Sequence, residues 1–335
     1  MATEHAAALR PAPERGNTIA AGAAALTLLV LVVGGRFDTE WGSGIHLVYS
    51  AAAALAVIAM AAMSPRPARH SVEGAERPAG WQSVLFIAAF VLTLDALSNL
   101  ADVFGVESVF DSSGTLVWVG LLLVGLTLWF ARGWNSGISN LLSAVTLVVV
   151  ILAFVDWVFS PEEVDTFRWV LLLSAIGFGA YGASQRASEP DHAVGDVNAA
   201  GIALLALGGT FLVEVILSAA FGGLSGVSST DTEVAWGWEL VLLAGGALLI
   251  AYSVLARQAG PGYLGVANLL AFAALATTAG DDGASLIGWP LLLIVVTGGL
   301  LALGLRRGDG RPGAGVPARP SPDPSEPPTA VQPQP

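Results

Sequence analysis

The sequence predicts an all-α fold: a polytopic integral membrane protein with about ten transmembrane helices, arranged as five repeated helical hairpins. Three observations lead to this prediction. Hydrophobic residues make up 54% of the 335 residues and charged residues 12%, about half the charged share of a soluble protein. Apolar runs of about 20 residues, long enough to cross a bilayer, recur along the chain. Arginines collect at one end of these runs and tryptophans at the other.

The ten predicted spans make up a transmembrane domain of residues 18–307. Residues 1–17 precede it as a cytoplasmic segment, and residues 308–335 follow it as a cytoplasmic tail. That tail holds nine prolines from Pro312 onward. Such a segment buries too little apolar surface to offset its ordering entropy, so we expect it to be disordered. The approximate bounds of the spans are 18–35, 44–63, 82–100, 115–131, 138–158, 168–184, 198–221, 236–256, 262–280 and 287–305.

The arginines predict the orientation of the spans. Of the 14 basic residues, all arginine, twelve precede the first span or follow an even-numbered one: Arg10, Arg15, Arg66, Arg69, Arg77, Arg132, Arg186, Arg257, Arg306, Arg307, Arg311 and Arg319. The positive-inside rule makes this side cytoplasmic. An even number of spans then places both termini in the cytoplasm, and we expect the protein in the cell membrane.

Tryptophans lie on the side opposite the arginines. Seven of the ten tryptophans in the chain are at the span ends on that side: Trp41, Trp118, Trp157, Trp169, Trp236, Trp238 and Trp289. We interpret them as anchors at the level of the lipid headgroups. The loops on this side are acidic. Ordinary solvation of short loops explains this feature, although an acidic surface also concentrates cations.

The repeat unit has a fixed order: odd span, acidic outer loop, tryptophan, even span and arginine. Membrane anchoring alone explains the tryptophans and arginines. It does not explain why three odd spans begin with Gly-x-x-Asn, and this motif indicates duplication. The repeats are parallel, unlike the inverted repeats of many transporters. The motif occurs at Gly137–Asn140, Gly195–Asn198 and Gly265–Asn268.

Three acids, Asp95, Asp156 and Glu214, fall inside predicted odd spans. Asp156 and Glu214 each follow an asparagine, Asn140 or Asn198, by 16 positions. At 1.5 Å per residue this places the acid about 24 Å from the asparagine, in the outer third of the membrane. One hypothesis is a cation or proton site in a shared cavity that opens to the outside. The favoured alternative is that each acid holds a neighbouring helix, since duplication also copies structural contacts.

Composition and motifs limit the possible functions. Without cysteine there is no disulfide, thiolate metal site or cysteine nucleophile, and without lysine no Schiff base. The net charge of −12 without a basic stripe argues against nucleic acid as a partner. The lipid bilayer is the expected partner. His46 is interpreted as an interfacial side chain and His192 as part of a solvated segment.

We therefore predict no catalytic residue, no metal ligand and no cofactor. The sequence favours a non-enzymatic membrane protein of the scaffold or sensor kind. The alternative is a small-solute or cation/proton-coupled transporter that uses the membrane-buried acids, and an intramembrane enzyme is the weakest of the three. A hydrated cavity would favour the transporter, whereas a dry, tightly packed bundle would favour the scaffold.

Overall fold

The structure, a computed structural model, describes residues 15–37, 41–66, 78–106, 108–225 and 236–276, with side chains up to residue 214 in the fourth segment. Within these residues every long element is an α-helix, so the all-α fold class is confirmed there. The helices are α1 (Gly16–Arg36), α2 (Ser43–Met63), α3 (Gly80–Val103), α4 (Ser113–Trp134), α5 (Gly137–Phe159), α6 (Val164–Gln185), α7 (Pro190–Ser225), α8 (Trp236–Ala256) and α9 (Ala259–Ala276).

Nine helices of the described segments are long and apolar enough to cross a membrane. Their bounds lie close to the first nine predicted spans, with one large difference at α7. This helix begins at Pro190, eight positions before the predicted span, and its 36 residues extend over about 54 Å. The tenth predicted span, 287–305, and the tail, 308–335, lie outside the described residues, as do residues 1–14.

Short polar connections end one helix and begin the next. Only two residues separate α4 from α5. Asn135 adopts a left-handed conformation with φ of 52°, which asparagine tolerates better than most residues. Ser136 then caps α5, because its hydroxyl oxygen accepts a hydrogen bond from the amide of Ser139 at 3.3 Å. Such a tight turn makes α4 and α5 antiparallel neighbours.

Each even-numbered helix packs most closely on the odd-numbered helix that follows it: α2 on α3, α4 on α5, α6 on α7 and α8 on α9. The odd-numbered helices form an inner row in which α1 contacts α3, α3 contacts α5, α5 contacts α7 and α7 contacts α9. Each predicted hairpin joins an odd span to the even span that follows it. Three of these hairpins, α1–α2, α5–α6 and α7–α8, are packed more loosely than the pairs above. The five-hairpin repeat stays a prediction.

Large apolar side chains cover the outside of the bundle, while many buried positions carry alanine, for example Ala23, Ala54, Ala89 and Ala199. In water such a surface would be unfavourable, whereas hydrocarbon solvates it. The architecture therefore fits a multi-pass membrane protein. Side chains on the outside include Leu28, Val48, Leu122, Leu173 and Leu248.

The two ends of the bundle differ in composition, as the sequence predicts. We call one the arginine end, where α2, α4, α6 and α8 end near Arg66, Arg132, Arg186 and Arg257, and the other the tryptophan end. At the arginine end, Arg186 donates a hydrogen bond to the carbonyl of Leu255 at 2.6 Å. At the tryptophan end, the rings of Trp169 and Trp238 lie 5.0 Å apart. Which end faces the cytoplasm stays a prediction.

Candidate functional site

The three acids singled out by the sequence lie in the tryptophan-end halves of α3, α5 and α7. Asp156 accepts a hydrogen bond from the hydroxyl of Ser113, at the start of α4. Glu214 forms an ion pair with Arg168 of α6, with 2.6 Å between Oε2 and Nη2. Each of these two acids therefore contacts the even-numbered helix that packs on its own helix.

Asp95 differs, because its hydrogen-bond partner, Asn99, lies on its own helix. The amide of Asn99 donates to the backbone carbonyl of Asp95 at 2.9 Å and contacts Ser50 of α2 at 3.4 Å. His46 of α2 is close enough to interact electrostatically with Asp95, and its Nδ1 lies 3.0 Å from the hydroxyl of Tyr49. The structure thus gives each acid partners in its own helix pair. A shared cation or proton site formed by Asp95, Asp156 and Glu214 stays a prediction.

Arg168 explains why an acid occurs at position 214. Its side chain is 9% exposed, and Nη1 lies 2.6 Å from a carboxylate oxygen of Asp165. Nε donates to the hydroxyl of Thr210 at 3.2 Å, and the guanidinium lies 3.7 Å from the ring centroid of Phe211. A buried guanidinium requires compensating charge. Glu214 supplies part of that compensation.

A cavity of about 1000 Å³ lies at the arginine end, between the α4–α5 pair and the α6–α7 pair. Its apolar wall includes Leu128, Leu147 and Phe178. Its polar wall carries three carboxylates, one histidine, three amides and one guanidinium, an excess of negative charge. We call this cavity the polar cleft, and its polar lining includes Arg132, Asn140, Glu189, Asp191, His192 and Asp196.

Asp196 is the most deeply buried acid of the polar cleft, with 3% of the residue exposed. Its Oδ1 accepts a hydrogen bond from the amide of Asn140 at 2.8 Å. Within the described part of the chain, its Oδ2 has no hydrogen-bond partner. Burying an oxygen without a hydrogen-bond partner costs free energy. A ligand that donates a hydrogen bond to Oδ2 would remove this cost, which favours its binding.

His192 lies one helical turn before Asp196, on the same face of α7. Its Nδ1 lies 2.8 Å from a carboxylate oxygen of Glu189, and its Nε2 has no partner among the described residues. The interpretation of His192 as part of a solvated segment is wrong: α7 begins at Pro190, and only 9% of His192 is exposed. The reason is that hydropathy detects the apolar part of a helix, not its polar first turns.

The Gly-x-x-Asn motif builds this site by bringing α5 and α7 together. A β-carbon on Gly195 would lie 3.1 Å from the amide nitrogen of Asn140, and one on Gly137 would lie 3.0 Å from the carbonyl oxygen of Asp191. Asn140 also donates to the carbonyl of His192 at 3.1 Å. Glycine therefore lets the asparagine reach across to the neighbouring helix.

The same motif recurs at the contact of α7 with α9. There the amide of Asn268 donates to the carbonyl of Gly201 at 3.2 Å, and a β-carbon on Gly260 would lie 3.0 Å from the amide nitrogen of Asn198. The asparagines of the motif thus make contacts between odd-numbered helices. The sequence contains this signal, together with the helical spacing of Glu189, His192 and Asp196. The site predicted from Asp95, Asp156 and Glu214 lies at the opposite end of the bundle.

Among the described residues, no three histidine, aspartate or glutamate side chains stand close enough together to hold a metal ion. Asp196 and His192 line the polar cleft, and each has one buried polar atom, Oδ2 and Nε2 respectively, without a hydrogen-bond partner among the described residues. No family model, curated protein or solved structure matches this chain. Its function has to be inferred from the chemistry of the site.

Proposed function

We propose that this protein is a non-enzymatic membrane transporter that binds a small protonated amine in the polar cleft. The observation that carries the proposal is Asp196, a buried carboxylate with one oxygen held by Asn140 and the other without a partner. Asp196 also lines the cavity of about 1000 Å³, which leaves room for a small solute next to this side chain.

The charge of the polar cleft favours a cation over an anion. Three carboxylates and a single guanidinium line it, so an ammonium group that enters is attracted by the lining as a whole. An ammonium also provides N–H groups for Oδ2 of Asp196, and hydrogen bonds to charged groups are the stronger kind. A quaternary amine satisfies the charge but has no N–H to donate.

The alternative is a scaffold or sensor without a transported solute. The partners of Asp156 and Glu214 support it, because both acids are occupied in contacts between helices. The transporter hypothesis based on Asp95, Asp156 and Glu214 and the one based on the polar cleft make different predictions, since they place the site at opposite ends of the bundle.

Counterflow of radiolabelled ethanolamine into proteoliposomes loaded with unlabelled ethanolamine tests the proposal. The wild-type chain should exchange ethanolamine in preference to choline, which has no N–H. Asp196→Asn should lower the exchange about tenfold or more, the loss expected for one hydrogen bond to a charged group. Glu162→Gln, an exposed acid in the loop before α6, is the matched control and should exchange as the wild type does.

Two results would contradict the proposal. One is a wild-type protein that exchanges no ethanolamine above protein-free liposomes. The other is exchange that is lost in Asp156→Asn and retained in Asp196→Asn, which would move the site to the tryptophan end.

A further inference from the structure

A second cavity, apolar and about 410 Å³ in volume, lies between α5 and α6. We call it the apolar groove, and its lining includes Ile151, Leu173 and Gly177. It shares two lining residues, Phe178 and Tyr181, with the polar cleft. These two aromatic side chains therefore border both cavities.

The apolar groove runs from the polar cleft toward the tryptophan end. On α5, Ile151 lies one helical turn beyond Leu147, which lines the polar cleft. On α6, the groove extends from Tyr181 back to Val170, about 16 Å along the helix axis. That length is about half the thickness of the hydrocarbon core, so it suits the chain of a lipid in one leaflet.

The apolar groove is open on the side of the bundle that faces the membrane. Helices α5 and α6 are one of the loosely packed pairs. Leu173 is 65% exposed and Tyr181 55% exposed, so both side chains are accessible from the bilayer. A lipid chain can therefore enter laterally while its headgroup remains at the arginine end.

We infer that the polar cleft and the apolar groove together bind one phospholipid with a primary-amine headgroup, taken from the leaflet at the arginine end. The inference rests on the proposed role of Asp196 as the amine acceptor. In this arrangement the ammonium donates to Oδ2 of Asp196, and one acyl chain lies along Phe178 and Leu173. Arg132 also lines this cleft.

Charge complementarity selects this occupant. A lipid with a glycerol headgroup carries only the negative phosphate, which the carboxylates of the cleft repel. A choline headgroup has the positive charge but no N–H for Oδ2 of Asp196. The primary amine has both, so phosphatidylethanolamine should be retained in preference to phosphatidylcholine and phosphatidylglycerol.

Gly177 offers a substitution that fills the apolar groove without disturbing the bundle. A β-carbon there meets no atom within 4 Å, so Gly177→Phe places a ring in the groove rather than in the protein core. Gly22→Phe is the matched control, because Gly22 is an exposed glycine of α1 that also has no atom within 4 Å of a β-carbon.

The test is native mass spectrometry of the full-length chain from detergent micelles with equal amounts of the dioleoyl forms of the three phospholipids. The wild type and Gly22→Phe should retain phosphatidylethanolamine preferentially. Asp196→Asn should lose the preference. Gly177→Phe should retain about tenfold less of this lipid, as expected when about two methylene groups are excluded from the groove, and should still exchange free ethanolamine.

The outcomes separate the two proposals. Equal retention of the three lipids, or unchanged retention in Gly177→Phe, would overturn the lipid inference, and ethanolamine exchange would then still support the solute transporter. Preferential retention of phosphatidylethanolamine without ethanolamine exchange would support lipid binding and overturn transport of the free amine. Loss of both in the wild type would overturn both.

Discussion

Arg168 and Glu214 illustrate how single residues carry charge in this bundle. The two members of the pair are not equally buried: the arginine side chain is 9% exposed and the glutamate side chain 45%. The second partner of Arg168, Asp165, is 58% exposed. If the arginine is removed, both carboxylates can hydrate. If Glu214 is removed, the buried guanidinium keeps Asp165 as its carboxylate partner.

This asymmetry predicts an order of stabilities. Glu214→Gln should lower the free energy of unfolding by about 1–3 kcal/mol, the cost of leaving part of a buried charge unsatisfied. Arg168→Met should cost less, because replacing the buried charge by an apolar side chain removes its desolvation penalty. Unfolding of the purified protein by titration with SDS measures both values.

The double variant Arg168→Met/Glu214→Gln is the internal control for that order. It should be no less stable than Glu214→Gln alone, because the charge that needed compensation is gone. A double variant whose loss equals the sum of the two single losses would show that the residues contribute independently and would contradict the account.

The acidic residues also show which parts of the site can be predicted from the sequence. Asp156 and Glu214 are identifiable because acids are rare inside apolar runs, and both do contact neighbouring helices. Asp196 is not identifiable in the same way, because it precedes the apolar run of α7. Its burial depends on Asn140 of another helix, and local hydropathy contains no information about that contact.

At the scale of helices, the contact between α8 and α9 depends on glycine. A β-carbon on Gly265 would lie 2.7 Å from the carbonyl oxygen of Gly246, and one on Gly246 would lie 3.0 Å from the carbonyl oxygen of Gly265. The two backbones therefore touch. Such close approach lets many weak packing contacts form where lipid provides no hydrophobic drive between helices.

Gly265→Ala should therefore destabilise the protein by about 1–3 kcal/mol, because the added methyl group meets backbone atoms that cannot move independently of their helices. The control is Gly22→Ala, where the β-carbon meets nothing within 4 Å and alanine is the better helix former. That variant should be as stable as the wild type or more so. Unfolding midpoints in the same detergent compare the two, and equal losses would contradict the proposed close contact.

The sequence predicts the helices better than their partners. Period and length of the apolar runs locate the helices because a span needs about 20 apolar residues. They do not show that α8 packs on α9 more closely than on α7, since that choice depends on which faces contain glycines opposite each other. The asparagines of the Gly-x-x-Asn motif are the exception, because they mark contacts between odd-numbered helices in the sequence itself.

For the whole molecule, the distribution of side chains favours a membrane environment over water. Leu28, Val48 and Leu248 are each at least 64% exposed, while alanines fill much of the interior. Burial of apolar area from water therefore cannot be what holds these helices together. Polar contacts at the two ends, such as Arg186 with Leu255 and Ser113 with Asp156, add to the packing.

The orientation of the molecule is the property that arginine placement predicts and that labelling can test. The chain has no cysteine, so a single introduced cysteine reports on one side of the membrane without background. Ser160, after α5, and Ser188, before α7, are exposed positions at the tryptophan end and the arginine end respectively.

In intact cells, a membrane-impermeant maleimide should label the Ser160→Cys variant. It should label Ser188→Cys only after the membrane is opened, because the positive-inside rule places the arginine end in the cytoplasm. The unsubstituted chain controls for nonspecific labelling. The reverse labelling pattern would show that the orientation in the membrane is opposite to the predicted one, with the polar cleft on the outside.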